Sequence, residues 1–487
     1  MKSTIAVLLA NMGFILQLSG IFMLVPIVVS FILNETNASV ALFISATAFL
    51  ALGFITNALC EKREMTYRQS CILIVSVFII LSLIGAIPYL YLSLPSSNML
   101  QTVTDSIFES VSGFTTTGFS VIPDLSALPQ SIILYRGLTQ FIGGIGIVIV
   151  LLSFFYPEAK LREFAKSMGL SNGEHKIKKT FLVIVCLYCA FTFAMILIGY
   201  FWGYHDLISL SCMVFGAVST GGFAPFADVS QLLAQAPFNV IIPLSMIFGS
   251  TNLLLFTHLR QRKFKDFLNS QIVVFLIVTT IVAFLLYYFY NIELYTSWFT
   301  VVSAMSSTGF AIVSVPSLNN SILMILIALM FIGGSSFSTT GGIKIYRLMV
   351  MLASVKKAVV YTVTGKDQKV QVLGKSYLNS EVIQISVLVF LSAITVYVSS
   401  LIVSFYGFAP MDALFETTSA FGTTGLSMGI VGPSLALELK WLFMFVMLLG
   451  RVELLSFLVI FTRGKERPMI ASATYEEPPV VTIAADA

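Results

Sequence analysis

The chain alternates long apolar runs with short polar segments. Ten runs approach or exceed the roughly 20 apolar residues that a helix needs to cross a bilayer. Two come first, at 4–33 and 40–59, and eight follow in pairs: 69–92 with 131–156, 179–203 with 236–258, 270–290 with 320–357, and 380–405 with 438–462. Transmembrane barrel strands would instead alternate over about ten residues. The pattern predicts an all-α integral membrane protein with about ten spans.

A short phrase with a central Thr-Gly recurs four times, once between the members of each pair. It reads Thr-Thr-Gly-Phe-Ser at 116–120, Ser-Thr-Gly-Gly-Phe at 219–223, Ser-Thr-Gly-Phe-Ala at 307–311 and Thr-Thr-Gly-Leu-Ser at 423–427. Each copy follows an amphipathic stretch too short to span, which predicts a short helix, a loop and an extended return. A single copy is explained by ordinary loop punctuation or helix packing. Four copies at one topological place favour a common structural role.

Backbone outside a helix is tolerated at membrane depth only where it is buried in protein or lines a water-filled cavity. Glycine lets a carbonyl take the unusual backbone angles needed to face an axis. Each short helix also places its partially negative C-terminal end next to the phrase. Four re-entrant pore loops of this kind predict a ring of carbonyls that replaces the water around a cation.

The four units share more than the phrase. Shifting the first by 307 positions places Asp105 on Asp412, Glu109 on Glu416 and Gly118 on Gly425 without a gap. The third keeps Gly309 in frame, and the second is the most diverged and aligns through 219–221. We therefore expect four M1–pore helix–M2 repeats with pseudo-fourfold symmetry around one pore. The expected units are an extra N-terminal helix pair at 1–62, repeats at 63–160, 161–262, 263–360 and 361–465, and a disordered cytoplasmic tail at 466–487.

Composition and charge agree with a membrane protein and give it a direction. Of 487 residues, 57% are hydrophobic and 10% are charged, whereas soluble proteins carry about 25% charged residues. Most of the 27 Lys and Arg fall in five clusters: Lys62 to Arg68, Lys160 to Lys179, Arg260 to Lys265, Lys356 to Lys375 and Arg463 to Arg467. Such loops face the cytoplasm. This places both termini inside, in a multi-pass protein of the cytoplasmic (inner) membrane.

The third repeat contains a second unusual segment. The stretch Gly-Gly-Ser-Ser-Phe-Ser-Thr-Thr-Gly-Gly at 333–342 interrupts an otherwise helical run, and its composition holds a lipid-facing helix poorly. A broken spanning helix marks a site on a transport path. The alternative is a packing kink where helices approach closely.

Several charged residues fall within or beside the apolar runs. Arg451 lies about midway along the last run, where a cation faces protein interior or a water cavity. We expect a pore-facing role; the alternative is a buried pair with a carboxylate, for which Glu453 is poorly placed two residues away. Arg136 is expected to brace a pore loop, with Glu109 or Glu416 as partner. Those glutamates could instead attract cations to the mouth.

Two further predictions concern smaller features. Asp105 and Asp412 are expected to cap the N-termini of the short helices. His175, His205 and His258 are isolated, and no cysteine spacing indicates a metal site. No catalytic group or nucleotide-binding loop stands out, so we expect a protein that is not an enzyme and has no organic cofactor.

These motifs resemble those of the Trk/Ktr/HKT superfamily of potassium transporters, over about residues 10–463. The similarity is greatest to the Trk-type potassium uptake membrane subunit (TrkH/TrkG). It implies a potassium-binding filter. K⁺ is the implied transported ion, and the filter is the only implied metal site. The implied filter residues are Thr116, Thr117, Gly118, Ser219, Thr220, Gly221, Ser307, Thr308, Gly309, Thr423, Thr424 and Gly425. Sodium-selective plant relatives replace the first filter glycine with serine, so Gly118 argues against that class.

The resemblance also implies a gate, an assembly and a partner. The gate is an intramembrane loop below the filter together with an arginine that projects into the pore: Gly333, Gly334, Ser335, Ser336, Ser338, Thr339, Gly341, Gly342, Lys344 and Arg451. Members of the superfamily form homodimers and work with a cytoplasmic nucleotide-binding regulatory ring (TrkA/KtrA-like). The basic segments 160–179 and 356–375 are expected to dock such a ring, although topology alone also explains their charge.

The expected function is potassium uptake down an electrochemical gradient. Three alternatives stay open at this point. A proton- or sodium-coupled symporter would need a second ion site, a sodium-selective pore would invert the ion preference, and a receptor or structural membrane protein would carry no ion.

Overall fold

A computed structural model describes residues 2–59, 67–93, 98–154, 174–253, 255, 271–365 and 369–461. The predicted tail at 466–487 lies outside these residues, as does part or all of each basic cluster. The first helices, in chain order, are α1 (Lys2–Phe22), α2 (Leu24–Ile32), α3 (Thr36–Leu59), α4 (Tyr67–Gly85), α5 (Ile87–Tyr91), α6 (Met99–Phe114), α7 (Gln130–Phe154), α8 (Glu174–Phe201), α9 (Leu207–Val218), α10 (Ser230–Ala234) and α11 (Phe238–Ser250).

The second half continues the pattern and adds one small hairpin. Its elements are α12 (Gln271–Tyr290), α13 (Leu294–Met305), a 3₁₀ turn (Val315–Ser317), α14 (Asn320–Ile332), α15 (Ile345–Thr364), β1 (Val370–Val372), β2 (Lys375–Tyr377), α16 (Asn379–Phe405), α17 (Pro410–Phe421), α18 (Leu437–Val452) and α19 (Leu454–Phe461). The hairpin turns through Leu373 and Gly374, both with positive φ, as a two-residue type I′ turn requires. It is a minor exception to the predicted all-α fold.

Helices α1 and α2 pack against α3 as an N-terminal pair. Their contact is close because glycines face each other: a Cβ added at Gly13 would lie 2.8 Å from the Gly53 carbonyl oxygen. Small residues allow this approach between spanning helices. The loop after α2 then anchors the pair to the first repeat, since the Glu35 carboxylate accepts hydrogen bonds from the backbone N–H groups of Gln130 (2.7 Å) and Ser131 (3.0 Å) at the start of α7.

Each of the four repeats contains a first long helix, a short buried helix and a second helix. The first helices are α4 with α5, α8, α12 and α16; the short helices are α6, α9, α13 and α17; the second helices are α7, α11, α14 with α15, and α18 with α19. Six segments of the described chain are long and apolar enough to span: Leu8–Ile32, Thr36–Ala58, Arg68–Tyr91, Val183–Phe201, Gln271–Tyr290 and Asn379–Phe405. These are the N-terminal pair and the four first helices, so the total of ten spans stays a prediction.

Two of the second helices are broken. The break between Ile332 and Ile345 falls where the sequence predicts it. The other break was not expected: α18 ends at Val452, and Glu453 has a φ of +67° before α19 begins. Glu453 is drawn out of the helix toward Arg347, whose Nη2 lies 2.6 Å from its Oε2.

The prediction that Asp105 and Asp412 cap the short helices is wrong. The N-cap of α6 is Asn98, whose side chain accepts from the Leu100 N–H, and Asp105 lies inside the helix. Asp412 lies in the first turn of α17, where the cap is Ala409 and makes no side-chain hydrogen bond. A buried carboxylate needs a partner, and Asp105 finds one in Lys440 of α18.

Asp105 and Lys440 form an ion pair that joins the first and fourth repeats. Their Oδ1 and Nζ atoms are 2.6 Å apart, and both side chains are fully buried. Lys440 also donates to the Pro433 carbonyl at 3.0 Å. The pair therefore fastens α18 to α6 at the seam where the four repeats close on themselves.

We predict that Lys440→Met alone destabilises the protein by about 3–5 kcal/mol, because it leaves Asp105 buried without its counter-charge. The double variant Asp105→Asn/Lys440→Met should recover most of this loss. The measurement is the thermal unfolding midpoint of the detergent-solubilised protein. Lys356→Met, at an exposed lysine of α15, is the matched control. Equal destabilisation in the single and double variants would contradict the pairing.

Candidate functional site

The four short helices end in the same turn. The residue after each helix cap has a positive φ between 49° and 57° although it is not glycine: Thr116, Thr220, Ser307 and Thr423. The N–H of the next residue bonds back to the helix five positions earlier in every repeat. The pairs are Thr117 to Ser112 (2.9 Å), Gly221 to Gly216 (2.7 Å), Thr308 to Ser303 (3.0 Å) and Thr424 to Ser419 (2.8 Å). Equivalent residues are therefore identified by geometry.

A glycine follows in every repeat, and it lies against the next repeat. These ring glycines are Gly118, Gly222, Gly309 and Gly425, with φ between 72° and 89°. A Cβ added to each would overlap a backbone oxygen: Gly118 with Gly221, Gly222 with Thr308, Gly309 with Thr424, and Gly425 with Thr117. The contacts run from repeat one through four and back to one. They close a carbonyl ring, defined here as the oxygens of Thr117, Gly221, Thr308 and Thr424.

The predicted frame of the second repeat is wrong by one residue. The sequence predicts that Ser219, Thr220 and Gly221 correspond to Thr116, Thr117 and Gly118. In the structure the equivalent residues are Thr220, Gly221 and Gly222. Ser219 is instead the helix cap, and its hydroxyl donates to the Phe215 carbonyl at 2.6 Å. The Gly-Gly doublet permits either frame in the sequence, and only the position of the turn decides between them.

The ring is surrounded by buried oxygen atoms. The predicted filter threonines and serines are all fully buried. The hydroxyls of Thr116, Ser307, Thr423 and Thr424 have no hydrogen-bond partner within the described part of the chain. Buried hydroxyls without partners are costly, whereas oxygen atoms are the ligands that selectivity filters offer to cations. The donor set therefore suits a dehydrated monovalent cation.

Two buried glutamates hold the chain that follows the ring glycine in the first and fourth repeats. Glu109 accepts from the Ser120 hydroxyl (3.0 Å) and the Val121 N–H (3.1 Å). Glu416 does the same in the fourth repeat, with the Ser427 hydroxyl at 2.6 Å and the Met428 N–H at 2.7 Å. Both carboxylates are fully buried, which argues against the alternative that they attract cations at an open mouth.

Arg136 joins the first repeat to the second. Its guanidinium lies 2.8 Å from Glu109 and donates to the Ala224 carbonyl at 3.1 Å. The structure thus pairs Arg136 with Glu109, one of the two expected partners. The alternative prediction, that Glu416 pairs with Arg136, is wrong, because the Glu416 carboxylate accepts hydrogen bonds from Ser427 and Met428 of its own repeat.

The segment between α14 and α15, residues 333–344, packs against the turns that carry the carbonyl ring. The Ser335 and Thr339 N–H groups donate to the carbonyls of Ser250 (3.0 Å) and Gly249 (3.1 Å) at the end of α11. The Thr339 hydroxyl lies 3.2 Å from that of Thr220 in the second filter turn. A Cβ at Gly341 would overlap the Gly422 carbonyl below the fourth turn. One loop thereby touches two of the four turns that carry the carbonyl ring.

The other predicted gate residues hold the loop together or fasten it to neighbours. Gly333 packs against Gly341, and the Gly334 N–H donates to the Thr340 hydroxyl at 3.2 Å. The Ser336 N–H donates to Gln271 Oε1 at 2.8 Å, and the Ser338 hydroxyl lies 2.7 Å from that of Thr340. Gly342 adopts a φ of +74°, and the Lys344 ammonium donates to the Thr340 carbonyl.

Arg451 connects three repeats at this loop. Its Nη1 donates to the Thr339 carbonyl of the loop, and its Nη2 donates to the Gly143 carbonyl of α7 at 2.9 Å. The guanidinium is buried. Arg451 does not pair with Glu453, because the Glu453 carboxylate binds Arg347. The sequence did not predict Gly143 as a partner of Arg451.

A helical membrane protein whose four repeats bring backbone carbonyls together has the architecture of a transport protein. Comparison with known proteins gives the family. The model of the TrkH family, described as a cation transport protein, matches residues 38–224 and 267–472. This chain belongs to that family, and its membership agrees with the expectation of a transporter rather than an enzyme.

Individual relatives align over most of the chain. An uncharacterized cation transporter of Methanocaldococcus jannaschii is 30% identical over 471 residues, covering 94% of this chain and 96% of that protein. The Trk system potassium uptake protein TrkH of Salmonella typhimurium is 27% identical and covers 82% and 86%. The solved potassium transporter TrkH from Vibrio parahaemolyticus superposes with a TM-score of 0.79 at 22% identity, covering 94% and 98%, and it shows the same fold.

We predict that Gly222→Ala impairs cation flux as strongly as Gly118→Ala, because either methyl group would overlap a ring carbonyl. The measurement is rubidium tracer uptake into proteoliposomes. Gly407→Ala is the control: Gly407 also has a positive φ, 96°, but open space around its Cβ position, so it carries only the strain of about 1–2 kcal/mol. Normal uptake by Gly222→Ala would contradict the revised frame.

Proposed function

We propose that this protein takes potassium ions into the cell through the carbonyl ring. The observation that carries the proposal is the cyclic contact of each ring glycine with a carbonyl of the next repeat. It brings four backbone oxygens together in a buried, largely uncharged setting, which favours a monovalent cation that gives up its water. The names of relatives as potassium uptake proteins support the choice of ion.

The filter is short. Each repeat supplies one ring glycine, and the longer Thr-Val-Gly-Tyr-Gly phrase of potassium channels is absent from the sequence. Fewer carbonyl layers give fewer binding sites, so we expect weaker discrimination against sodium than in those channels. A glycine at 118 favours potassium over the sodium preference of relatives that carry serine there.

Ion flow needs no chemistry in this chain. An inside-negative membrane potential contributes about 2.3 kcal/mol per charge per 100 mV to cation entry. A coupled symporter would need a further titratable or ion-binding site. Among the described residues, the fully buried carboxylates Asp105, Glu109 and Glu416 are all engaged with protein groups. Channel-like uptake is therefore preferred over symport.

The loop at 333–344 and Arg451 are proposed as the gate. A fixed positive charge beside the path repels a passing cation, and its hydrogen bonds to Thr339 and Gly143 hold the loop against the filter. Opening requires the loop to leave Thr220 and Arg451 to release its carbonyl partners. The Arg347–Glu453 ion pair would follow this movement, since it joins α15 to the break after α18.

Assembly and location belong to the same proposal. We place the protein in the cytoplasmic (inner) membrane with both termini inside, as a homodimer in which each protomer has its own pore. A cytoplasmic nucleotide-binding ring of the TrkA/KtrA kind is the proposed regulator, because relatives are named as parts of a Trk system. The described portion of its proposed docking surface includes α15 and the β1–β2 hairpin.

The test is rubidium uptake into proteoliposomes under an inside-negative potential, with potassium or sodium as competitor. We expect potassium to inhibit uptake at lower concentration than sodium does. Equal inhibition would overturn the potassium preference. Absence of uptake, even after removal of residues 335–340 from the loop, would overturn the proposal that cations pass through the carbonyl ring.

We predict that Arg451→Gln raises rubidium flux about tenfold, because one charge-assisted hydrogen bond contributes roughly 1.5 kcal/mol to the closed form and about 1.4 kcal/mol is a factor of ten. Lys356→Gln, which removes an exposed cation from α15, is the control and should leave flux unchanged. Reduced flux in a well-folded Arg451→Gln protein would show that the arginine supports conduction instead.

A further inference from the structure

One position of the filter breaks the fourfold pattern. The residue that supplies each ring carbonyl is threonine in three repeats, Thr117, Thr308 and Thr424, and glycine in the second, Gly221. Two of these threonine hydroxyls bond to the preceding cap, Thr117 to Thr115 at 2.8 Å and Thr308 to Ser306 at 2.7 Å. The cap of the fourth repeat is Gly422, and the Thr424 hydroxyl has no partner within the described residues. Gly221 has no side chain with which to form such a bond.

The space next to Gly221 is filled from another repeat. Gln140 of α7 lies where a side chain at 221 would project, because a Cβ there would come within 2.5 Å of Gln140 Cδ and 2.7 Å of Nε2. Both residues are fully buried or nearly so. The Gln140 side chain therefore leaves no room for a threonine at position 221 and fills the space that a threonine side chain would take.

Gln140 also binds the backbone on both sides of the ring glycine. Its Nε2 donates to the Gly221 carbonyl at 2.6 Å, and its Oε1 accepts from the Phe223 N–H at 3.0 Å. Within the described chain, Gly221 is thus the ring member whose oxygen accepts a hydrogen bond from a side chain. A carbonyl has two lone pairs, so the second can still face a cation while the amide fixes its direction.

We infer that Gln140 is a positioning residue of the filter, which takes the place of the missing threonine and orients the Gly221 carbonyl toward the ion. Its consequence for ion preference rests on the proposed potassium pathway. Its packing role does not, since the steric exchange between residues 140 and 221 exists whatever ion passes. The second repeat thereby owes its filter geometry to a side chain of the first.

The experiment is a double-mutant cycle with Gln140→Ala, Gly221→Thr and the double variant, purified in detergent and reconstituted. Gly221→Thr should lower the unfolding midpoint strongly, and adding Gln140→Ala should restore much of the loss by making room for the threonine. If the losses in unfolding midpoint of the two single variants simply add in the double variant, the steric exchange between residues 140 and 221 is overturned. If Gly221→Thr does not fold, recovery of folded protein in the double variant is the same test.

Ion preference is measured separately as the ratio of sodium to potassium concentrations that half-inhibit rubidium uptake. Gln140→Ala should lower this ratio about three- to tenfold, the effect of one hydrogen bond, and the double variant should move it back toward the wild-type value. Gln371→Ala, which removes an exposed amide donor from the β1–β2 hairpin, is the control. An unchanged ratio in Gln140→Ala would overturn the orienting role. Absence of uptake by the wild type would instead overturn the proposed function, leaving the stability cycle as the test of Gln140.

Discussion

The structure depends on four backbone contacts in which a glycine of one repeat lies against a carbonyl of the next. No side chain fits at these positions, and the backbone angles there suit glycine. Because the contacts form a closed cycle, displacement of one repeat would disturb its neighbours. Four segments that each have only local helical structure thus become one ring.

Other buried polar groups maintain this ring against the cost of burying backbone in a membrane. Glu109 and Glu416 bind the chain just after the ring glycines of their repeats, and Arg136 and Lys440 connect neighbouring repeats. Each charge is compensated by a partner or by several hydrogen bonds, as burial requires. At the other end of the short helices, Arg451 binds the loop of the third repeat, so the filter is held from both sides.

The sequence predicted the repeated architecture and most of the candidate site because these depend on local patterns. Apolar runs, the recurring Thr-Gly phrase and the glycine-rich interruption are all visible without tertiary contacts. It did not predict the frame of Gly222, the pairing of Asp105 with Lys440, or the role of Gln140. The frame of Gly222 is decided by the turn in which the Gly221 N–H donates to the Gly216 carbonyl, and the Gly-Gly doublet does not reveal that turn. For the other two features the partner lies far along the chain, 335 residues away for Lys440 and 81 for Gln140, where no spacing rule applies. The break at Glu453 was missed for the same reason, since Arg347 supplies its partner.

The most direct test of the carbonyl ring is the position of the ion. Crystals of the protein grown in rubidium would be measured at the rubidium absorption edge, and an anomalous difference map would locate the bound ions. The account predicts a peak on the pseudo-fourfold axis, bordered by the carbonyl oxygens of Thr117, Gly221, Thr308 and Thr424. Rubidium peaks confined to other parts of a well-ordered molecule would contradict it.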